Sequence, residues 1–502
     1  MPEALRAFFF ILIAIGGTYI LFSRLFGGLI GQTLFKKLIV SYILVIFSAA
    51  ALPGFWFFLF VTFVYLYFIV PGVRNQRLAY FFMLLLAVPN FWLDIPGFGV
   101  VRFLMTMSYP RFLILTLLLT LLMNKQENET KPYRYLASDT ILTFFLITKI
   151  ILGFREDTVT NAIREAIMLY IDIFLPYFVI SRFVQSTEHF RQLLAIYLFV
   201  MICLSIIAVM ELAKNWHLYN PFIANLGTNN PYSLYLFRSG MLRASTVFYS
   251  PIALGYAITL AYAAFLYLRP MILRPVMEKV IAGILLMGLG ASLSRGPWLG
   301  FAILLVTYTL MQKGALQKIM KGLVSLLVIV PILSLTPYWD KFISLIPFIG
   351  TVDTENITYR QRLIDNAWLV FQKYPLFGSP NYRLEPEMQS MIQGQGIIDV
   401  VNSYIGIVLE NGAIGLITFV FFFVWLLLQS YRLTRVFESS NTPYYRLGLS
   451  LISAMTCTLF TISTVSSIDY IPYLYWILSG LLAAFIIIGR EQLHKTQWSS
   501  TT

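Results

Sequence analysis

Charge is what this chain has least of. Only 12% of its 502 residues are Asp, Glu, Lys or Arg, roughly half the share found in a soluble globular domain. That scarcity excludes an ordinary water-soluble fold. Histidine occurs three times and cysteine twice. Cys203 and Cys457 both fall inside apolar runs, so no disulfide framework is expected. No group of Asp or His in the outer loops has the spacing of a metal site, so neither a metal nor another cofactor is expected. Internal repeats, heptads and low-complexity linkers are absent as well. No small-residue cleavage site follows the first apolar run, which therefore reads as a retained anchor.

Apolar side chains take the place of charge. Hydrophobic residues make up 59% of the chain, and its mean hydropathy is +0.77. Runs long enough to cross a bilayer recur from residue 7 to residue 488. The expected fold class is all-α: a polytopic membrane helical bundle of about 12–15 transmembrane helices, with one long outer loop carrying an amphipathic helix. The least regular runs are 79–93 and 105–123, which Pro89 and Pro96 interrupt. If the chain enters from outside, loops 24–34, 71–78, 124–137, 185–189, 269–275, 313–317, 431–444 and the tail after 488 lie inside. With their flanking helix ends they hold the entire excess of Lys and Arg behind the net charge of +13. This is the positive-inside pattern. The basic balance thus reports orientation and gives no reason to expect nucleic acid. Lys149 and Asp172 lie within apolar runs and read as snorkelling from near helix ends.

Four regions follow: N-terminal transmembrane helices over 1–211; core transmembrane helices over 212–336, with Arg243 and Arg295; an outer loop subdomain over 337–401; and C-terminal transmembrane helices with a cytoplasmic tail over 402–502.

The sharpest local feature is Ser292-Leu293-Ser294-Arg295-Gly296-Pro297-Trp298. An arginine in hydrocarbon costs about 2.5–3.5 kcal/mol on insertion scales, so Arg295 belongs at a wet edge or beside a partner. Pro297 suits the first helical position, with Gly296 as the cap. The free N–H groups of that helix start then face the same spot as the guanidinium, which makes an anion site. Upstream, Arg238 and Arg243 precede Ser250-Pro251, a second capped helix start on the same side. Taken singly, Arg238 or Arg243 is as well read as an anchor at lipid headgroups; two such starts on one side favour an anion site. In the long loop, apolar residues at 363, 364, 367, 368 and 371 follow helical spacing behind Arg360 and Arg362. After Gly394 and Gly396, Asn402 can cap a short helix that Asn411-Gly412 interrupts, as happens where a membrane protein lines a cavity. Asp399 stands at the start of that short helix.

These stretches resemble the O-antigen ligase and polymerase superfamily, bacterial membrane glycosyltransferases of the GT-C type. The resemblance rests on Ser294-Arg295-Gly296, Arg360, Pro375-Leu376-Phe377-Gly378, Asn402-Ser403-Tyr404-Ile405 and Glu410-Asn411-Gly412-Ala413-Ile414-Gly415, in that order, with Arg243 and Pro251 upstream. It spans roughly residues 238–430. It implies a polymerase at the periplasmic face of a bacterial inner membrane, transferring an undecaprenyl-diphosphate-linked glycan to a sugar hydroxyl of a lipid-linked repeat unit. Arg295, Arg243 and Arg360 are then expected to bind the diphosphate, with Arg362 and Arg238 in second rank. The expected partners are the lipid-linked donor and acceptor, membrane lipid, a chain-length regulator and a flippase. One position departs from the family pattern: a histidine that precedes the asparagine is Val401 here. Asp399, at the same junction, is the preferred base; the alternatives are His217 and a reaction that needs no strong base. Three other readings stay open: a ligase that moves finished glycan to another acceptor, a lipid-linked oligosaccharide flippase or other transporter, and a non-catalytic scaffold of a polysaccharide export complex.

Overall fold

A backbone in lipid has to satisfy its own N–H and C=O groups, and the apolar runs do so as helices. In this computed structural model the described residues are all of 1–502 except 1, 71–73, 100, 124–134, 156–157, 229–234, 239, 335–353, 393–395, 441–442 and 500–502. The helices used below are α1 Glu3–Ile30, α2 Gln32–Ala51, α3 Phe55–Ile69, α4 Arg74–Leu84, α5 Tyr109–Met123, α6 Ala137–Gly153, α7 Val159–Phe183, α8 Thr187–Lys214, α9 Pro251–Leu268, α10 Pro275–Ala291, α11 Arg295–Leu310, α12 Ala315–Ser334, α13 Thr354–Lys373, α14 Ser403–Val436, α15 Pro443–Ile462 and α16 Ile471–Ser499. The molecule is an all-α polytopic membrane bundle.

Among the described residues, eight helices are long and apolar enough to cross a membrane: α1, α2, α7, α8, α9, α14, α15 and α16. This is fewer than the expected 12–15. The difference lies in runs such as α3, α6, α10 and α11, which do fold as helices but hold only 15 to 17 residues, short of the ~20 a span needs. The run at 79–93 ends as a helix at Leu84. Beyond it, β1 (Trp92–Pro96) and β2 (Phe103–Ser108) form an antiparallel hairpin. Pro89 and Pro96 remove two amide donors there, and Gly97 and Gly99 flank its turn. Arg111 and Arg164 hold the hairpin through the carbonyls of Thr106, Leu104 and Phe103.

Burial separates centre from rim. The most apolar windows of α8, α9 and α16 are 83%, 89% and 89% buried, against 39% for α1 and α14. A helix apolar on every side can sit at the centre; α3 instead turns Phe60, Tyr67 and Phe68 outward, as a lipid-facing helix does. Lys149 and Asp172, expected to snorkel, are ion-paired instead. Lys149 Nζ lies 2.9 Å from Glu410 Oε1. Arg111 grips Asp172 through Nε and Nη2, and Tyr473 donates to the same carboxylate.

A second, small core stands apart from the bundle. Leu363, Ala367 and Val370 of α13 pack with Tyr382, Met388, Met391, Val400 and Leu409. The amphipathic helix expected behind Arg360 is therefore present. Its buried stripe runs 363, 367, 370, while Ile364 and Trp368 face outward.

The break in α14 falls where Asn411-Gly412 predicted it. Gly412 has φ 66° and ψ −167°, a conformation open essentially to glycine alone. The loop 375–378 fills the break: Ala413 N–H donates to Pro375 O at 2.9 Å and Ile414 N–H to Leu376 O at 3.2 Å. In return Ser379 N–H donates to Leu409 O at 2.8 Å. A methyl group on Gly412 would stand 2.3 Å from the Leu376 carbonyl, and one on Gly378 would stand 2.5 Å from Gly412 N. The Pro-Leu-Phe-Gly and Glu-Asn-Gly stretches, 35 residues apart in the chain, form one interlocked unit. Arg155 Nη2 clamps it by donating to Phe377 O at 2.9 Å.

Candidate active site

Ser294, not Gly296, takes the cap position of α11; Gly296 is the second residue of the helix. The expectation for Gly296 fails because the helix begins two residues earlier than Pro297 suggests. Ser294 has the β-region backbone of a cap, yet its hydroxyl does not close the helix end. It donates to Ser292 O at 2.9 Å and accepts from Arg243 Nη2 at 2.9 Å. The cap is diverted to hold an arginine. Gly296 instead permits close approach: a methyl group there would stand 3.0 Å from Thr464 Oγ1.

The segment with Arg238 and Arg243 is a tight hairpin, β3 (Phe237–Arg238) and β4 (Met241–Leu242). It lies against the turn before α11. Ala244 N–H donates to Ala291 O at 3.0 Å, and Arg238 Nη1 donates to Leu293 O at 2.6 Å. The two helix starts meet as well: a methyl group on Gly255, one turn into α9, would stand 2.7 Å from Pro297. Ser250 caps α9 with Pro251 in its first turn, as the sequence indicates.

Arg243 is the electrostatic centre of this face. Burial, with Arg238 close by, pushes its guanidinium down to about 10. Its Nε is buried without a hydrogen-bond partner, and among the described residues no carboxylate pairs with it. A mostly buried cation without a counter-charge is costly unless an anion arrives.

Arg360 reaches the same neighbourhood from α13. Its Nη2 donates to Thr464 O at 3.2 Å, and Thr464 is the residue packed on Gly296. The preceding residue, Tyr359, donates its hydroxyl to Asp399 O at 2.9 Å. Asp399 Oδ1 accepts from Ser466 Oγ at 2.9 Å. Asn402 caps the short helix, its Oδ1 accepting from Tyr404 N at 2.9 Å and Ile405 N at 3.3 Å. The next residue, Ser403, donates to Val465 O at 2.8 Å.

A closed circuit of contacts results. It runs from Arg238 and Arg243 to the start of α11, then to Thr464, Arg360, Tyr359, Asp399 and Ser466, which lies two residues from Thr464. Two expected residues stand apart from it. Arg362 is exposed on α13, and two residues from Arg360 is about 200° around a helix. His217 is 2% exposed. Its Nδ1 sits 3.2 Å from both Glu211 Oε2 and Ser245 Oγ, and its Nε2 is buried without a partner. A relay would use the two ring nitrogens on opposite partners; here one nitrogen serves both. Glu211 also accepts from the amides of Leu218, Ser245 and Thr246. His217 thus belongs to a buried clasp that fixes the loop after Arg243.

The segment 463–467 escaped the sequence reading. It is a short loop between two apolar runs, without charge. The one signal available was its run of hydroxyls, Ser463, Thr464, Ser466 and Ser467.

Residues 280–420 match the family model described as O-antigen ligase. This stretch, under a third of the chain, is similar to the O-antigen ligase family. A search of curated proteins gives no match. The O-antigen ligase match includes Arg295, Arg360, the interlocked motifs, Asp399 and Asn402. Arg238, Arg243, His217 and the 463–467 segment lie outside it, yet all but His217 take part in the circuit. The candidate site thus draws on a wider stretch of chain than the match itself.

Proposed function

We propose that this multi-pass membrane protein is a polysaccharide polymerase of a bacterial inner membrane, with its site facing the periplasm. It transfers a growing glycan from undecaprenyl diphosphate to a sugar hydroxyl of a second lipid-linked repeat unit. The observation that carries this reading is Arg243: mostly buried, beside Arg238, without a carboxylate partner among the described residues, and tied to the start of the family's Ser-Arg-Gly helix.

In this reaction a bond forms between the acceptor oxygen and the anomeric carbon. The bond from that carbon to the diphosphate oxygen breaks, and undecaprenyl diphosphate leaves with the electron pair. Negative charge grows on the bridging oxygen, and fixed cations absorb it best where water is scarce. Arg243, Arg295 and Arg360 take that role, with Arg238 behind them; Arg362, which stands apart, is left out of it. Guanidinium suits it because its fork grips phosphate bidentately and keeps its proton. Asp399 accepts the hydroxyl proton. Among the described residues its Oδ1 accepts from Ser466 and its Oδ2 from none, which supports this role.

The test is the glycan profile of cells in which the chromosomal gene is replaced. Deletion leaves single-repeat products if the protein is a polymerase, and long polymer on the carrier if it is a ligase. Asp399→Asn abolishes polymer at unchanged protein level, whereas His217→Gln, read as structural, keeps measurable polymer. The reverse pattern moves the base to His217.

A further inference from the structure

Three residues, Thr464 to Ser466, touch three different parts of the candidate site. Thr464 packs on Gly296 and holds Arg360 through its carbonyl. Val465 O accepts from Ser403 Oγ at the start of α14. Ser466 Oγ lies 2.9 Å from Asp399 Oδ1 and 2.6 Å from Val400 O. Two residues of extended chain span at most about 7 Å. The anchor of a phosphate-binding arginine and the anchor of the carboxylate are thus held within that distance by one short piece of backbone. Its own position is fixed from below, since Ser467 donates to Ser403 Oγ at 2.8 Å and Tyr470, at the start of α16, donates to Val88 O at 2.8 Å.

A serine hydroxyl has one proton, and Ser466 has two acceptors in reach. An ionised carboxylate is the stronger acceptor, so the proton serves Asp399 while Asp399 is charged. Once Asp399 has taken the acceptor's proton, the hydroxyl can turn to the Val400 carbonyl and remain satisfied. The same side chain therefore suits both protonation states without a backbone shift.

We propose that Ser466, from a segment outside the family match, is a positioning residue that aims the Asp399 carboxylate at the acceptor hydroxyl. This rests on the reading of Asp399 as the base.

The experiment uses the full-length protein in lipid nanodiscs. Its substrate is the lipid-linked single repeat extracted from cells that lack this protein, and the rate of polymer formation is followed from about pH 5 to about pH 9. Ser466→Ala lowers the rate at neutral pH roughly ten- to hundredfold, the range for a hydrogen bond to a charged group. It also moves the acid limb of the profile to higher pH, because the ionised form has lost a donor. Ser466→Thr, which keeps the hydroxyl, restores rate and limb. A wild-type rate and limb in Ser466→Ala overturns the proposal, as does a lower rate with the limb unmoved. Asp399→Asn separates this from the reading beneath it. An active Asn variant removes the base itself; an inactive one beside an unshifted Ser466→Ala removes only the role of Ser466.

Discussion

Arg243 Nη2 and Ser294 Oγ are 2.9 Å apart, and this one hydrogen bond joins an arginine to a helix cap 51 residues further along the chain. Burial, and then Arg238, holds the folded-state guanidinium of Arg243 down at about 10, below its ordinary range. From there up to the ordinary guanidinium range the unfolded chain keeps a proton the folded chain has released, so stability rises with pH across that window. Below about pH 10 the charged group is a net burden, on the order of 3 kcal/mol. Arg243→Leu is therefore expected to raise the thermal midpoint of the ligand-free protein while abolishing polymer formation. Thermal unfolding in detergent, read beside a glycan gel, checks both halves. A lowered midpoint contradicts the view of Arg243 as a functional cation whose charge burdens the ligand-free fold.

The interlock at Gly412 yields a prediction about folding alone. Gly412→Ala places a methyl group 2.3 Å from Leu376 backbone at a backbone conformation costing roughly 1–3 kcal/mol for other residues. Loss of most folded protein from the membrane is expected, measured by fluorescence size-exclusion of a tagged chain. Gly406→Ala, whose added methyl group meets only Val400 at 3.9 Å, is the control that retains it.

Lys149 and Glu410 connect the N-terminal helices to the same interlock. Lys149→Met leaves Glu410 without its partner, and breaking a buried pair costs about 3–5 kcal/mol. Both side chains keep some exposure, 23% and 36%, so a smaller loss is expected here. The swap Lys149→Glu with Glu410→Lys recovers part of it. A double-mutant cycle on thermal midpoints reads the coupling, and additive losses would show that the pair contributes nothing jointly.

Much of this architecture was legible because hydropathy and capping are local. The apolar runs, the Asn402 cap, the Ser250-Pro251 start and the break at Gly412 each follow from a few adjacent residues. The amphipathic α13 was legible for the same reason, although its buried stripe is shifted towards Val370. What was hidden depends on residues far apart in the chain. Nothing near Lys149 or Asp172 announces Glu410 or Arg111 as a partner. The cap at Ser294 was missed because proline tolerance in a first turn does not fix which residue comes first. Thr464 and Ser466 lack charge, and their importance comes wholly from what packs against them.

Orientation can be tested with one introduced thiol. Cys203 and Cys457 are both buried, so a cysteine at exposed Ser467 is the group that reacts. Ser467→Cys is expected to be labelled by a membrane-impermeant maleimide added to intact spheroplasts. Labelling only after the membrane is opened would place the site on the cytoplasmic side.

The central claim is that guanidinium groups gathered at the start of α11 stabilise a departing lipid diphosphate. Polymer length on gels from cells carrying Arg295→Ala or Arg295→Lys, at matched protein levels in the membrane, tests it most directly. The account predicts that polymer is lost with alanine and sharply reduced with lysine, which keeps the charge but not the bidentate fork. A normal ladder from both variants would contradict it.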